Sequence, residues 1–209
     1  MINGNILTLY EASNRNLCER KRANMLEGLL LYPTLGFNLL RNYLQPIKWA
    51  WYNRIDDVVI LGAVPFRSMA KELIEKENVG AIVCCTEEYE TQVVWKAMDE
   101  KEWRRNGVNF YALPMVDFVG TTSRSSIDKA LKFVDEVGQQ GKSVYVHCKA
   151  GRTRSAMFVT CYLMRKNNWY PNVAFEFIKI KRPQVVLGNA QWRTVNEYQR
   201  YLDHKIGLA

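Results

Sequence analysis

Short apolar runs alternate with amphipathic stretches over the greater part of the chain. Four apolar runs predict strands, and they cover residues 58–61, 81–85, 108–113 and 144–146. Apolar residues at helical spacing predict helices over about residues 68–77, 125–137, 154–164, 171–181 and 190–202, with Ser125 as the cap of the second. Because strands alternate with helices, we expect an α/β fold with a central, mainly parallel sheet flanked by helices.

The first 50 residues have a different pattern, which predicts a helical, partly amphipathic N-terminal lead-in before a compact domain over residues 51–209. The apolar run at residues 29–40 is shorter than the ~18–20 residues of a membrane span and contains Pro33 and Gly36. Basic residues flank this run: Arg15, Arg20, Lys21, Arg22 and Arg41. A membrane-surface anchor and a helix packed on the domain both fit this pattern.

Composition and charge restrict the class of protein and of partner. The chain has 209 residues, of which 48% are hydrophobic, and this excludes a disordered, collagen-like or disulfide-scaffold protein. The formal net charge is +8, and residues 149–209 carry this excess, with 11 basic and 3 acidic side chains. The distribution indicates an acidic partner, such as a phosphate ester, an anionic membrane or nucleic acid, or a solvated basic face.

The cysteines indicate a reducing compartment. Their number, 5, is odd, and Cys84 and Cys85 are adjacent, which rarely suits a disulfide. Only 2 histidines and no CxxC pair are present, so we expect no metal site. The first residues lack the basic region and apolar run of a secretory signal. We interpret Cys84, Cys85 and Cys161 as small buried hydrophobic residues.

The candidate chemistry lies where the fourth predicted strand runs into Cys148. A short loop from this cysteine leads to Arg154 and Ser155 at the start of an apolar helix, and Gly151 allows a tight turn. Such a loop points backbone N–H groups at one anion, and an arginine adds a two-pronged donor for phosphate. The same groups stabilise a thiolate on Cys148, which Ser155 can help to leave, while His147 orients the loop.

Phosphate-ester cleavage also needs a proton for the leaving group, and Asp117 is the candidate donor. It follows the third predicted strand in a loop, and we expect that strand to neighbour the strand that ends at Cys148. Lys149 and Arg152 make the cysteine loop unusually basic. They indicate a substrate with more than one negative group, unless both side chains point to solvent.

The segment HCKAGRTRS resembles the signature loop of cysteine-dependent protein tyrosine phosphatases, in particular their dual-specificity branch. The resemblance implies that Cys148 is the nucleophile, Arg154 the phosphate-binding residue, Asp117 the general acid and Ser155 a further catalytic residue. No cofactor is implied, and His147 would support the loop. The implied substrate-binding residues are the whole loop and its arginine: Lys149, Ala150, Gly151, Arg152, Thr153 and Arg154.

Further motifs are similar to the mitochondrial phosphatidylglycerophosphatase family within that branch. These motifs are YPT at 32–34, WYNRID at 51–56, LGAVP at 61–65, EEYET at 87–91 and VDF at 116–118. The resemblance implies hydrolysis of phosphatidylglycerophosphate in cardiolipin biosynthesis, and a peripheral position on the matrix side of the mitochondrial inner membrane. EEYET would lie near the active-site rim, with Tyr89 as a pocket wall or a packed surface aromatic.

The chain departs from that family in two places. Glu11, Glu19 and Glu27 are unlike a transit peptide, which leaves a cytoplasmic location open. Residues 184–190 are divergent, and no role is carried over to them.

Other functions remain to be weighed against a lipid phosphatase. A dual-specificity protein phosphatase or a phosphoinositide phosphatase would use the same residues. EEYET, the basic loop and the apolar N-terminal run favour a lipid. A non-catalytic phosphate-binding module would be expected to lack Cys148, Asp117 or Arg154, and all three are present. The chain has no stacking motif for nucleic acid and no Walker A loop, so we expect neither nucleic-acid binding nor nucleotide hydrolysis.

Overall fold

A computed structural model describes residues 49–94, 97–116 and 120–207. The predicted lead-in over residues 1–50, with its possible membrane anchor, lies outside these residues except for Trp49 and Ala50. The five strands are β1 (Tyr52–Arg54), β2 (Val59–Gly62), β3 (Val79–Cys84), β4 (Asn109–Ala112) and β5 (Ser143–His147). The helices are α1 (Ala70–Glu75), α2 (Glu88–Val93), α3 (Glu100–Arg105), α4 (Arg124–Gln139), α5 (Arg154–Asn167), α6 (Pro171–Lys181) and α7 (Asn189–Ile206), and a 3₁₀ turn at Arg67–Met69 precedes α1.

The strands form one sheet in the order β1-β2-β5-β3-β4. Strands β2, β5, β3 and β4 are parallel, and only β1 pairs in the antiparallel direction. The predicted α/β architecture with a mainly parallel sheet is therefore confirmed. Strand β1 and the short helices α2 and α3 were not predicted, because each has too few residues to show a clear hydrophobic period.

The expectation that β4 neighbours the strand of Cys148 is wrong, because β3 lies between β4 and β5. The burial of the strands explains this order. Five of the six residues of β3 are buried, as a central strand requires, whereas none in β4 is fully buried and it lies at the sheet edge.

Helices cover both faces of the sheet. Val144 and Val146 of β5 point into a large core shared with α4, α5, α6 and α7. Tyr145 points to the other face, where a smaller core includes Leu73 of α1 and Trp103 of α3. Alternate side chains of β5 thus anchor both layers, which makes the end of this strand a rigid base for the loop that follows.

The ends of the longer helices follow simple local rules. Ser123, rather than the predicted Ser125, caps α4, and its hydroxyl accepts a hydrogen bond from the Ser126 N–H at 3.1 Å. Helix α6 starts at Pro171 as predicted. None of the helices in the part of the chain that the structure describes has the length and apolar character needed to cross a bilayer.

Candidate active site

The loop between β5 and α5, residues 148–153, which we call the phosphate loop, forms a cradle at the carboxyl edge of the sheet. Gly151 has a φ of +63°, and a Cβ atom there would collide with the backbone of Gly62 and Ala63. Only glycine fits both this conformation and this close approach. Arg154 begins α5, so the N-terminus of a 14-residue helix faces the loop and favours an anion there.

Cys148 is the first residue of this loop and is 3% exposed. Ser155 Oγ donates a hydrogen bond to its Sγ at 3.2 Å. Burial alone would raise the pKa of the Cys148 thiol, but the charge of Arg154 and hydrogen bonds from Ser155 and the Arg152 backbone outweigh it and lower the pKa to about 7. A substantial fraction of Cys148 is therefore thiolate at neutral pH, which is the nucleophilic form.

His147 lies beneath the loop and is completely buried. Its Nδ1 is 3.3 Å from the carbonyl oxygen of Cys148, and its role in supporting the loop stays a prediction. Cys84 lies on the neighbouring strand, and its Sγ is 3.0 Å from Thr86 Oγ1. Burial would raise the pKa of Cys84, but the charge of His147 and a hydrogen bond with it lower the pKa to about 7. Cys84 is thus part of a polar pair rather than the inert hydrophobic residue that we expected.

Arg154 makes the strongest polar contact of the site, with Glu90 of the EEYET stretch. Its two terminal nitrogens donate to the two carboxylate oxygens of Glu90 at 2.6 and 2.9 Å, and one of them also donates to the Met115 carbonyl at 2.9 Å. Both side chains are at most 3% exposed. This pairing fixes the plane of the guanidinium group beside the sulfur of Cys148.

The role of Glu90 was missed by sequence reasoning, which singled out its neighbour Tyr89. Tyr89 is half-buried, and its assignment as a pocket wall stays a prediction. The available signal was a run of three carboxylates, Glu87, Glu88 and Glu90, directly after the predicted strand over residues 81–85, in a chain whose cysteine loop carries three cations.

The other two cations of the loop do not extend freely into solvent. Lys149 is 7% exposed, and its carbonyl accepts from the Val64 N–H. Arg152 is half-buried; its Nε donates to the Gln184 carbonyl at 3.0 Å, and its guanidinium lies over the Trp49 ring, 5.4 Å from the centroid. The alternative that both side chains point to solvent is therefore wrong.

Arg182 supports the loop from outside. Its Nε donates to the Gly151 carbonyl at 2.8 Å and a terminal nitrogen donates to that of Ala150 at 3.2 Å, while the other reaches Ala50 and Asn53. These contacts hold the Gly151 and Ala150 carbonyls on the outside of the loop. The N–H groups of the loop are then free to face the cradle. Burial lowers the pKa of Arg182 to about 10. Sequence reasoning treated this arginine only as the end of a helix.

Asp117, the predicted general acid, lies outside the described residues, so its role stays a prediction. The residues on either side of residues 117–119 are tied to the site. The Met115 carbonyl accepts from Arg154, and the Gly120 carbonyl accepts from the buried Gln191 side chain at 3.0 Å. Met115 is thus held by the first residue of α5 and Gly120 by α7, although β4 and β5 are not neighbours. Gln191 had no role in the sequence interpretation.

A cavity of about 880 Å³ opens near the edge formed by β3 and β4. Its lining includes Cys84, Thr86, Phe110 and Pro114, together with residues of α2 and α3. No residue of the phosphate loop is among the described residues that line this cavity. Over the same described ranges, no group of three or more His, Cys, Asp or Glu side chains could hold a metal ion.

Comparison with known proteins defines the class. Residues 71–201 match the family model described as dual specificity phosphatase, catalytic domain. The chain belongs to this family, and it is a phosphatase of the cysteine-dependent type, as its loop indicated.

Within the class, the chain is similar to phosphatidylglycerophosphatases, which confirms the closer resemblance. It is 36% identical to mouse phosphatidylglycerophosphatase and protein-tyrosine phosphatase 1 over 176 residues, 84% of this chain and 90% of that protein. It is also 36% identical to the Arabidopsis thaliana phosphatidylglycerophosphate phosphatase PTPMT2, over 82% of this chain and 72% of the relative. The crystal structure of PTPMT1 in complex with PI(5)P matches with a TM-score of 0.71 and 34% identity, over 75% of this chain and 99% of that one.

Proposed function

We propose that this protein hydrolyses phosphatidylglycerophosphate to phosphatidylglycerol and phosphate, the step that supplies phosphatidylglycerol for cardiolipin biosynthesis. The observation that carries the proposal is the 36% identity over 90% of the mouse phosphatidylglycerophosphatase. A second observation supports it, since Glu90 of EEYET forms the ion pair with Arg154. EEYET, one of the motifs that carry the resemblance to phosphatidylglycerophosphatases, is thus joined to the residue that we assign to phosphate binding.

The arrangement of the loop supports a two-step mechanism. In the first step the Cys148 thiolate attacks phosphorus, a sulfur–phosphorus bond forms, and the bond to the glycerol oxygen breaks. The departing alkoxide takes a proton, which we assign to Asp117. In the second step water attacks phosphorus and gives a proton to the carboxylate that we assign to Asp117, the sulfur–phosphorus bond breaks, and Ser155 donates a hydrogen bond to the returning thiolate. Arg154 and the loop N–H groups neutralise the phosphoryl oxygens in both steps.

Two other substrate classes use the same chemistry. A phosphoinositide is favoured by the PTPMT1 structure with PI(5)P, and a phosphoprotein by the second half of the mouse relative's name. Lys149 and Arg152 add positive charge beside the phosphate site, which favours a lipid headgroup with a second negative group over a singly phosphorylated peptide.

The proposed location is the matrix side of the mitochondrial inner membrane, with peripheral attachment. Its support is the resemblance and the basic, apolar segment over residues 15–41. Deleting residues 1–40 should lower activity on phosphatidylglycerophosphate in vesicles and spare a soluble aryl phosphate. A parallel loss of both activities would mean that the segment only packs on the domain.

A phosphate-release panel tests the substrate. The full chain is compared on phosphatidylglycerophosphate, phosphatidylinositol 5-phosphate and phosphotyrosine and phosphothreonine peptides, each with Cys148→Ser as the blank. We expect kcat/KM to be highest for phosphatidylglycerophosphate. A higher value for either of the other substrate classes would replace the proposal with that class.

A further inference from the structure

Three exposed aliphatic side chains lie around the phosphate loop. Ile180, in the last turn of α6, is 80% exposed and lies two residues before Arg182, which bonds the loop. Val186 is 53% exposed, and its N–H donates to the Arg152 carbonyl at 3.0 Å. Val116 follows Met115, the carbonyl partner of Arg154. Each of the three is thus within two residues of a group that bonds the phosphate loop or Arg154.

Exposed cations accompany these aliphatic side chains. Lys179 and Lys181 flank Ile180 on α6, and Arg193 lies two residues after Gln191, which bonds the Gly120 carbonyl. Residues 176–193 contain four basic side chains and one acidic one, Glu176, so this segment carries net charge +3. The contact of Glu176 with Lys179 is 4.0 Å long, and at least half of each side chain is exposed.

We define the rim surface as Val116, Lys179, Ile180, Lys181, Val186 and Arg193. We propose that the rim surface docks on an anionic lipid bilayer and brings the opening of the phosphate loop to the level of the lipid headgroups. The proposal rests on a lipid being the substrate. A soluble phosphate ester would need only the cations, whereas aliphatic side chains interleaved with cations match the apolar boundary and negative charge of a bilayer surface.

Helix α6 offers a matched pair of variants for the first test. Val173 is also aliphatic and 46% exposed on this helix, but it lies near the opposite end from the phosphate loop. Binding of the full chain is measured on vesicles of phosphatidylcholine mixed with phosphatidylglycerol and on phosphatidylcholine alone. We expect Ile180→Glu to weaken binding to the anionic vesicles about tenfold or more, and Val173→Glu to change it by less than about twofold.

The cations provide a second, independent pair. Lys179→Gln with Lys181→Gln should weaken binding to anionic vesicles about tenfold and reduce its dependence on salt. The control is Lys129→Gln with Lys132→Gln, two exposed lysines in the middle of α4, which should leave binding unchanged. Hydrolysis of a soluble aryl phosphate is measured for every variant, and we expect it to match the parent chain.

The outcomes separate this proposal from the substrate assignment. Equal binding by Ile180→Glu and Val173→Glu, or no preference of the parent chain for anionic vesicles, would overturn the rim surface. If phosphatidylglycerophosphate dispersed in detergent is hydrolysed but none of the rim variants changes binding to vesicles, the substrate assignment stands and the docking surface is wrong. If the rim variants weaken vesicle binding as expected but that dispersed lipid is not cleaved, the docking surface stands and the substrate is wrong.

Discussion

Arg154 and Glu90 are 64 residues apart in the chain, and their side chains meet in a bidentate ion pair beside Cys148. The pair is almost completely excluded from water, so neither charge has solvent to replace its partner. It joins the start of α5 to α2 and thereby links the arginine that is predicted to bind phosphate to the EEYET stretch. The geometry makes Glu90 a positioning residue for Arg154.

Glu90→Gln tests that role. The substitution keeps the shape of the side chain but leaves the Arg154 charge uncompensated, and breaking a buried pair in this way costs about 3–5 kcal/mol. We expect urea unfolding to show a loss of this size, together with a lower kcat/KM on an aryl phosphate. Glu88→Gln is the control, because Glu88 is exposed in the same stretch and should change stability by no more than about 0.5 kcal/mol. Similar losses for both variants would contradict the positioning role.

The lowered pKa of Cys148 predicts a pH profile for its alkylation. The thiolate is the reactive form, so the rate of modification by iodoacetamide should rise with pH through about 7, below the range of an ordinary thiol. Ser155→Ala removes one hydrogen bond to the sulfur and should shift the profile to higher pH. Peptide mass spectrometry assigns the adduct to Cys148, which matters because the pKa of Cys84 is also lowered to about 7. A Cys148 profile centred near the ordinary thiol value would contradict the electrostatic account of the loop.

Arg182→Lys tests the support of the loop from outside. Lysine cannot reproduce the forked contacts with Gly151, Ala150 and Asn53, and each buried carbonyl left without a donor costs about 1–3 kcal/mol. We expect weaker binding of tungstate, a phosphate mimic, and a lower unfolding temperature. Arg165→Lys is the control, since Arg165 bonds Asp135 and Leu131 on the far side of the domain core. Unchanged tungstate affinity in Arg182→Lys would show that the loop holds its shape without this arginine.

Asp117→Asn tests the predicted general acid. A poor leaving group needs the proton in the transition state, whereas nitrophenolate hardly does, and general acid catalysis contributes about 10²–10⁴-fold. We therefore expect alkyl phosphates to be slowed far more than nitrophenyl phosphate. Equal slowing of both substrates would reassign Asp117 to positioning or to loop structure.

The parts of the site that sequence reasoning reached are those encoded by neighbouring residues. The loop from His147 to Ser155 has its strand, turn glycine, arginine and helix within one short segment, and the structure brings Ser155 to the Cys148 sulfur as expected. The strand pattern likewise predicted the parallel sheet. These features depend on the hydrophobic period and on the spacing of residues within short segments, and both can be read from a single sequence.

The supporting residues could not be found in this way, because their contacts join distant segments. Glu90, Arg182 and Gln191 reach the loops through the packing of α2, α6 and α7, and no local spacing encodes those distances. The order of the strands also depends on packing between distant segments. Strand β3 is buried and lies beside β5, whereas β4 has no fully buried residue and lies at the sheet edge. Choosing between these positions required the burial of each residue in both strands.

If Cys148 carries the phosphate of phosphatidylglycerophosphate as a covalent intermediate, rapid-quench trapping will capture it on the sulfur. The full chain is mixed with phosphatidylglycerophosphate labelled in its terminal phosphate, quenched within the first turnover and digested, and the label is located by peptide mass spectrometry. We expect phosphate on the peptide that contains Cys148, and none with Cys148→Ser. Phosphate release at the normal rate by Cys148→Ser, or label on another residue, would contradict it.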